Sequence, residues 1–307
     1  MIKRNRFVRN ICSTTFVLVG LAFVTAKAQV KKYSAKKPLL AKLAKKETPT
    51  ITIKEANVVY PDLLCGNEEQ SLDYIEKFSS NRREYLIRTY NKGKKFFPKA
   101  AAILTKNNIP HEFKVLLALE SAFNANAVSR AGAVGYWQIM DDVAKEYGLR
   151  YAPRLSAAEK RRQFRLAKAL AKKQHKKFRP VIIKDERKNF DKSTYTAARY
   201  LKDRCRNLDN DYLLVVASYN CGVGNVWNAM EKTGKDSPTF WDVKNYLPAE
   251  TRSYVMNFIA LNVIFNNYEK FANNTLCFKP VKVKADDINQ SMMEDGLEEE
   301  HTSKKDK

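Results

Sequence analysis

The chain has 307 residues and a formal net charge of +23, a length that suits one sizeable domain with additional terminal segments. Hydrophobic residues make up 44%, and there are only 10 Gly and 10 Pro. This composition predicts a packed core and excludes a low-complexity or loop-rich all-β chain. The excess of basic residues predicts contact with an acidic partner or an acidic surface.

Residues 1–28 have the pattern of a cleaved secretory signal peptide. Four basic residues precede or adjoin an apolar run from Ile11 to Ala26, and Ala26-Lys27-Ala28 forms an A-x-A cleavage site. The run is shorter than the roughly 20 apolar residues that span a bilayer. We therefore expect export to the periplasm or cell envelope and a soluble mature protein; an uncleaved membrane anchor is the alternative.

Four cysteines follow this segment, at Cys65, Cys205, Cys221 and Cys277. In an oxidising compartment they can form disulfides. Four cysteines allow three pairings, and the sequence does not select one; buried free thiols are the alternative. Since there is no CxxC pair and the chain has only three His, we predict neither a metal site nor a cofactor.

Three segments hold most of the charge. Residues 29–50 contain seven Lys and one Glu, which predicts a flexible basic linker over residues 29–60. Residues 285–307 contain eight acidic residues and three Lys without core-forming periodicity, which predicts a disordered acidic tail. Residues 150–184 contain thirteen Lys or Arg and the single acid Glu159. The basic charge is therefore concentrated outside the predicted core.

The basic segment 150–184 is a candidate binding surface. The chain has no helix-turn-helix, RNA-binding or zinc-finger pattern, so we predict no nucleic-acid partner and expect an anionic wall polymer or membrane surface instead. Apolar residues of Glu159–Phe178 follow one helical stripe, which fits a helix docked on the main domain or one lying on an anionic membrane. Because the stripe is rich in Ala, we expect docking; a solvated helix remains the alternative.

From Pro61 to Pro280 the hydrophobic periodicity is helical almost throughout. Residues 61–284 are therefore predicted to form a mainly α domain, with the basic segment as a helical insertion. Proline, capping residues and glycine predict several boundaries: a helix that Pro110 opens and that runs through Phe123, one capped by Ser193 or Thr194 that ends near Leu208, one that Asp211 caps and Gly222 and Gly224 end, and a long last helix that Pro248 opens.

Glu120 is a carboxylate in an apolar helical setting. Its neighbours three and four positions away are Leu116, Leu117, Phe123 and Asn124, and Glu is seldom buried without a partner. Desolvation raises the pKa of a carboxyl group, which is what a general acid near neutral pH requires. The acid Glu of lysozyme, held in an apolar pocket, is tuned in this way. Taken alone, the segment also fits a structural Glu paired with a buried Arg.

Four ordered motifs surround and follow this residue. They are ESAFN at residues 120–124, AVSRAGAVGYWQIM at 127–140, ASYNCG at 217–222 and LPAETRSYV at 247–255. Together they resemble the signature of soluble-lytic-transglycosylase (SLT) domains, most of all that of the membrane-bound lytic transglycosylase D group. Each motif alone is weak, but their order and spacing over residues 70–270 are specific.

The resemblance implies a lysozyme-like α fold of the goose-type lysozyme and SLT kind. It implies cleavage of the β-1,4 bond between N-acetylmuramic acid and N-acetylglucosamine in peptidoglycan strands, with Glu120 as the sole acid and base. Most glycosidases need two carboxylates. Since no second acid matches a catalytic position, a non-hydrolytic reaction that leaves 1,6-anhydromuramic ends is expected.

The resemblance also assigns roles to residues around Glu120. The Tyr219 hydroxyl is expected to position the Glu120 carboxylate, with Asn220 as structural support. Ser129 is expected to bond near the substrate's N-acetyl group, unless it is a helix cap. The other expected substrate contacts are Gln138 and Met140 in the groove, Tyr254 in the cleft and Glu250 at a sugar, although Met140 also fits a core and Glu250 a carboxylate that complements the helix dipole.

Two other functions remain open. A hydrolase of the goose-type lysozyme kind would use water and Asp141 or Asp142, which otherwise fit a cap of the next helix. A catalytically silent peptidoglycan-binding protein would have no need for the acid Glu120. The sequence does not indicate an oligomeric state.

Overall fold

The computed structural model describes residues 51–151, 153, 155–178 and 184–284, and these are mainly helical. The predicted mainly α class is confirmed. The predicted signal peptide, residues 29–50 of the linker and the acidic tail lie outside the described residues. The helices are α1 (Glu68–Ser80), α2 (Arg83–Gly93), α3 (Phe97–Lys106), α4 (Leu116–Ser121), α5 (Asp141–Glu146), α6 (Ala157–Lys173), α7 (Phe190–Asn207), α8 (Tyr212–Cys221), α9 (Val223–Glu231), α10 (Phe240–Val243), α11 (Ala249–Asn266) and α12 (Tyr268–Ala272), with short 3-10 helices at Asp62–Leu64, His111–Val115, Glu186–Lys188 and Lys244–Tyr246.

Helix α11 lies at the centre of the hydrophobic core. From Val255 to Phe265 every residue except Asn257 is buried, because α1, α4 and α8 pack around this helix. A helix that is apolar on all sides needs such neighbours. The core therefore fixes α11 in place, and with it the side chains of its first turns.

The helix predicted from Pro110 to Phe123 divides into two elements. A 3-10 helix spans His111–Val115, and α4 follows it to Ser121. Helix α4 ends there because Ala122 is left-handed, with φ 47°. Pro110 precedes the 3-10 helix as its N-cap residue, so the predicted start is confirmed while the single continuous helix is wrong.

The start predicted for α7 is also wrong. The N-cap is Asn189, whose side chain accepts the Lys192 N–H at 3.0 Å. Ser193 and Thr194 lie inside the helix, where they are buried and donate to the carbonyls of Asn189 and Phe190 at 2.6 Å. Small hydroxyl residues can cap a helix or bond back within it, and the sequence does not distinguish these uses.

Three other predicted boundaries are confirmed. The Asp211 side chain caps α8 by accepting the Leu214 N–H at 2.9 Å. Gly222 ends α8 with φ 83°, a conformation that glycine adopts without the steric cost of a Cβ. Pro248 directly precedes α11. Gly224, however, lies inside α9 rather than ending a helix.

The folded domain begins earlier than predicted. Strand β1 (Ile51–Lys54) pairs antiparallel with β2 (Val281–Lys284). Beyond β1, the Val59 N–H donates to the Asn267 side chain at 2.9 Å, and Tyr60 is buried. Residues 51–60, predicted to be linker, are therefore part of the domain.

Helix α6 is exposed at every residue except the half-buried Ala171. It begins with a capping box between Ser156 and Glu159 and ends at Lys173, five residues before the predicted end. None of its residues is buried, so the expectation that it docks on the main domain through an apolar seam is wrong. The Phe164 ring meets only that of Phe178 in the following segment, at 5.1 Å between centroids, among the described aromatic contacts.

The four cysteines after residue 28 are free thiols in the structure. Cys205 and Cys277 are buried, Cys221 is half-buried and Cys65 is exposed. The sequence left disulfides and buried free thiols as alternatives; the structure has free thiols, two of which are buried.

Candidate active site

Glu120 is the second-last residue of α4 and is only partly exposed. Its predicted neighbours Leu116, Leu117 and Phe123 are buried. This surrounding raises the pKa of the Glu120 carboxyl from its usual 4.5 to about 7 by desolvation. A hydrogen bond donated by the Tyr254 hydroxyl acts in the opposite direction and offsets part of the rise. The carboxyl group can therefore be protonated near neutral pH.

The chain reverses direction immediately after Glu120 through two left-handed residues. Ala122 has φ 47° and Phe123 has φ 61°, and each such non-glycine residue costs about 1–3 kcal/mol. The buried Phe123 ring packs on Phe96 and Phe97 at 5.3 and 5.4 Å. In addition, Lys92 donates to the Ala122 carbonyl at 2.5 Å. These contacts hold a strained turn that separates Glu120 from the loop after it.

Residues 124–140 form a hydrogen-bonded loop in which Ser129 closes a turn. The Ser129 N–H donates to the Ala133 carbonyl at 2.9 Å, and the Ser129 hydroxyl oxygen accepts the Ala133 N–H at 3.0 Å. Ser121, at the end of α4, ties the loop to the acid by donating to the Tyr136 carbonyl at 2.8 Å. Ser129 is thus a cap of a turn rather than of a helix, and its hydroxyl proton remains available to a substrate.

Tyr219 holds this loop instead of contacting Glu120. Its hydroxyl donates to the Trp137 carbonyl at 2.7 Å, while the buried Trp137 indole donates to Thr194 at 2.9 Å. The prediction that the Tyr219 hydroxyl positions the Glu120 carboxylate is therefore wrong: Tyr254 makes that contact. Burial and the nearby Glu120 raise the pKa of both phenols well above 10, so both remain neutral donors.

Gln138 and Met140 meet Tyr219 at a small cavity, and their role in a substrate groove stays a prediction. They line a space of about 60 Å³ together with Tyr200. Gln138 is left-handed, with φ 46°, and its amide donates to the Gly135 carbonyl at 2.9 Å. Met140 is 40% exposed, so it is not a core residue and its side chain is accessible to a ligand.

Asn220 links the end of α8 to the first turn of α11. Its side-chain oxygen accepts the Thr251 hydroxyl at 2.7 Å. This contact lies one helical turn before Tyr254, so it supports the placement of the hydroxyl that bonds Glu120. Glu250 is exposed in the same first turn, a position where a carboxylate complements the helix dipole.

Arg187 is a supporting residue for which sequence analysis predicted no role. Its guanidinium is 2% exposed, pairs with Asp141 and with Asp185 at 2.8 Å, and donates to the Ile139 carbonyl at 3.3 Å. The loop also packs closely on the Arg187 backbone at Gly135. A Cβ at this position would lie 2.2 Å from the Arg187 carbonyl oxygen, so only glycine fits there. The sequence shows an Asp-x-Arg segment at 185–187. It does not show that Arg187 pairs with Asp141, which lies 46 residues earlier.

Residues 97–239 match the family model described as the transglycosylase SLT domain. The matched range contains Glu120, the whole loop 124–140 and Tyr219. This part of the chain is similar to an SLT domain. Tyr254, which donates to the acid, lies beyond the matched range.

Two curated relatives are similar over part of their length. The chain is 32% identical over 174 residues to the membrane-bound lytic murein transglycosylase D of Escherichia coli strain K12, and the same holds for that of E. coli O6:H1. The alignment covers 56% of this chain and 31% of each relative. The matched region therefore corresponds to about a third of the length of those proteins.

Two solved structures of lytic transglycosylases are similar to part of this chain. The lytic transglycosylase Slt of Pseudomonas aeruginosa, solved as an inactive mutant, has 18% identity and a TM-score of 0.38, covering 62% of this chain and 26% of that one. The 70 kDa soluble lytic transglycosylase of E. coli has 15% identity and a TM-score of 0.39, covering 70% of this chain and 38% of that one.

Proposed function

We propose that this protein is a peptidoglycan lytic transglycosylase with Glu120 as its catalytic acid and base. The observation that carries the proposal is the Glu120 carboxyl group, whose pKa is raised to about 7 at the end of a buried helix and which receives a hydrogen bond from Tyr254. Such a group can both give and accept a proton near neutral pH. The SLT domain match and the relatives named lytic murein transglycosylase support the substrate class.

The reaction needs one carboxyl group used twice. Protonated Glu120 gives its proton to the glycosidic oxygen between N-acetylmuramic acid and N-acetylglucosamine, and the C1–O bond breaks. The 2-acetamido group of the muramic acid stabilises the developing positive charge at C1. The Glu120 carboxylate then takes the proton from the C6 hydroxyl of the same sugar, whose oxygen attacks C1 and closes the 1,6-anhydro ring. The enzyme ends with Glu120 protonated again, and no water is consumed.

The ion pairing of Asp141 favours this reaction over hydrolysis. An inverting hydrolase needs a second carboxylate that is free to activate water. Asp141 is bound to the buried Arg187 guanidinium, which holds the carboxylate in a structural pair. Asp142 is exposed in the first turn of α5.

The loop residues provide the proposed substrate contacts. Ser129 has a free hydroxyl proton for an acetamido oxygen, and Met140 and Tyr219 line the cavity beside the loop. Gln138 shapes this surface through its bond to Gly135. Glu250 is exposed one helical turn before Tyr254 in α11 and is the proposed contact for a more distant sugar.

We place this activity in the periplasm or cell envelope, after cleavage of residues 1–28. The basic start, apolar run and A-x-A site support export. Among the described residues, no helix has both the length and the apolar character to cross a bilayer. N-terminal sequencing of the protein recovered from the envelope should begin at Gln29; a chain that still begins at Met1 contradicts cleavage.

Mass spectrometry of muropeptides released from purified peptidoglycan tests the reaction. The proposal expects products with 1,6-anhydromuramic ends, lighter by one water than hydrolysis products. Glu120→Gln should lower turnover by about 10²–10⁴-fold and leave glycan binding intact, whereas Asp142→Asn should retain activity. Reducing ends that disappear in Asp142→Asn would establish the hydrolase instead, and full activity in Glu120→Gln would remove Glu120 from the mechanism.

A further inference from the structure

Helix α6 presents an apolar face that is largely exposed, with Phe178 packed against Phe164 at one edge. Phe164, Leu166 and Leu170 are 51%, 61% and 57% exposed. At 3.6 residues per turn these side chains lie on one half of the helix circumference, together with Ala167 and Ala171. Large apolar side chains grouped on one exposed face mark an interaction site rather than the scattered exposure that is normal for a surface.

The other half of the same helix is strongly basic. Helix α6 contains seven Lys or Arg, six of which lie outside the apolar half, while Lys160 and the single acid Glu159 lie within it. Arg161, Arg165, Lys168 and Lys172 follow each other at spacings of four and three residues, so they form a stripe on the side opposite the apolar face. A helix with Phe and Leu on one side and Lys and Arg on the other is typical of segments that lie in a membrane interface.

The helix is stabilised by its own capping residues, and the insertion that contains it begins and ends at two residues in contact, Arg150 and Glu186. Its capping box satisfies the first N–H groups, and Lys172 and Lys173 in its last turn complement the helix dipole. The Arg150 backbone N–H and guanidinium both donate to the Glu186 carboxylate at 2.9 Å, and the Glu186 N–H donates to the Arg150 carbonyl at 2.8 Å. Arg150 and Glu186, at the two ends of the insertion, therefore lie side by side on the domain.

We propose that α6 lies flat on an anionic phospholipid surface, with its apolar face in the acyl boundary and its cations among the headgroups. The charge of the basic stripe complements such a surface, and the long Lys and Arg stems can reach headgroups from either edge of the apolar face. An acidic wall polymer would engage the cations alone and leave Phe164, Leu166 and Leu170 in water. The exposed apolar face therefore favours the bilayer over the polymer.

Hydrogen–deuterium exchange of the full-length protein with lipid vesicles tests this proposal. The probes are vesicles of phosphatidylglycerol with phosphatidylethanolamine, vesicles of phosphatidylcholine alone, and soluble polyglutamate. We expect amide exchange in residues 157–173 to slow at least tenfold with anionic vesicles only. Because the readout is confined to these residues, binding through the apolar N-terminal segment does not affect it.

Three variants separate the two faces of the helix. Phe164→Gln/Leu166→Gln/Leu170→Gln keeps every charge and should weaken partitioning into anionic vesicles at least tenfold. Ala158→Gln/Ala169→Gln adds the same side chain away from the apolar face and is the matched control, with binding expected to stay at the wild-type level. Arg161→Gln/Arg165→Gln/Lys168→Gln should lower binding roughly 100-fold at low salt.

The outcomes are distinct. Exchange that slows on anionic vesicles, and that the apolar variant but not its control abolishes, supports the proposal. Equal protection by polyglutamate, with the apolar variant bound as well as wild type, overturns it in favour of an acidic polymer partner. Unchanged exchange with every probe, in protein whose helicity by circular dichroism matches wild type, overturns it in favour of a solvated helix.

Discussion

Replacing Tyr254 by Phe removes the hydroxyl that donates to the Glu120 carboxylate while keeping the ring in the core. A hydrogen bond to a charged group contributes about 1.5–3 kcal/mol, and 1.36 kcal/mol corresponds to one pKa unit. The Tyr254 hydroxyl lowers the pKa of Glu120 against the larger effect of burial. Without it, the pKa of Glu120 rises further.

The sign of the effect on activity follows from the proposed role of Glu120 as the initial acid. Turnover requires the protonated carboxyl group, so it falls as the pH rises through the Glu120 pKa, about 7 in the wild-type protein. In Tyr254→Phe this alkaline limb should move to higher pH by roughly one to two units. The assay is the release of soluble muropeptides from peptidoglycan, measured between pH 4.5 and 9.

Tyr219→Phe is the matched control, because it removes a phenol of the same size whose hydroxyl bonds a backbone carbonyl instead of the acid. Losing a neutral hydrogen bond of about 1 kcal/mol should lower turnover several-fold through the loop. It should leave the alkaline limb in place. An unmoved limb in Tyr254→Phe, or an equal shift in Tyr219→Phe, would refute the assignment of the two tyrosines.

Three further predictions concern stability, measured by urea unfolding. Because burial raises the pKa of Glu120 from 4.5 to about 7, the wild-type fold loses stability as pH rises through that window. Glu120→Gln should therefore match the wild-type free energy of unfolding at pH 4 and exceed it by about 3 kcal/mol at pH 8. Equal stability of the two proteins at both pH values would contradict the raised pKa. Arg187→Met should lower the free energy of unfolding by about 1–3 kcal/mol, because it removes the buried guanidinium that pairs with the half-buried Asp185. The exposed pair lost in Arg206→Met should cost less than about 1 kcal/mol. Similar losses in the two variants would mean that Arg187 does not stabilise the loop. Gly135→Ala should lower the free energy of unfolding by about 1–3 kcal/mol more than Gly132→Ala. Both glycines have positive φ, but only Gly135 contacts the Arg187 backbone. Equal losses would contradict the packing of the loop on Arg187.

Local chemistry in the sequence determined the helical class and several helix ends. Asp211 and Pro248 act through their own side chains on the first turn that follows, and Gly222 through its own backbone. Such signals do not depend on the rest of the fold. Where two residue types could serve, as with Asn189 and Ser193 at the start of α7, the local signal was ambiguous and the prediction was wrong.

The acid itself could also be found from the sequence. Glu120 is flanked at helical spacing by residues whose burial is required for any core. A carboxylate on that face is expected to be desolvated, which raises its pKa. A buried Arg beside it would have lowered the pKa instead, so the segment gave the expectation and the structure decided the direction. The motifs around it resemble those of SLT domains, and residues 97–239 match the SLT family model.

Only the tertiary structure decided which groups support the acid. Tyr219 and Tyr254 are both phenols on core helices, and which hydroxyl reaches Glu120 depends on how α8 and α11 cross. The pairing of Arg187 with Asp141 joins residues 46 positions apart. The exposure of α6 was equally undetermined, because an amphipathic pattern shows that a helix has an apolar face and does not show what covers it. Periodicity is a property of one segment, whereas a contact is a property of two, and their relative placement is set by the packing of the whole core.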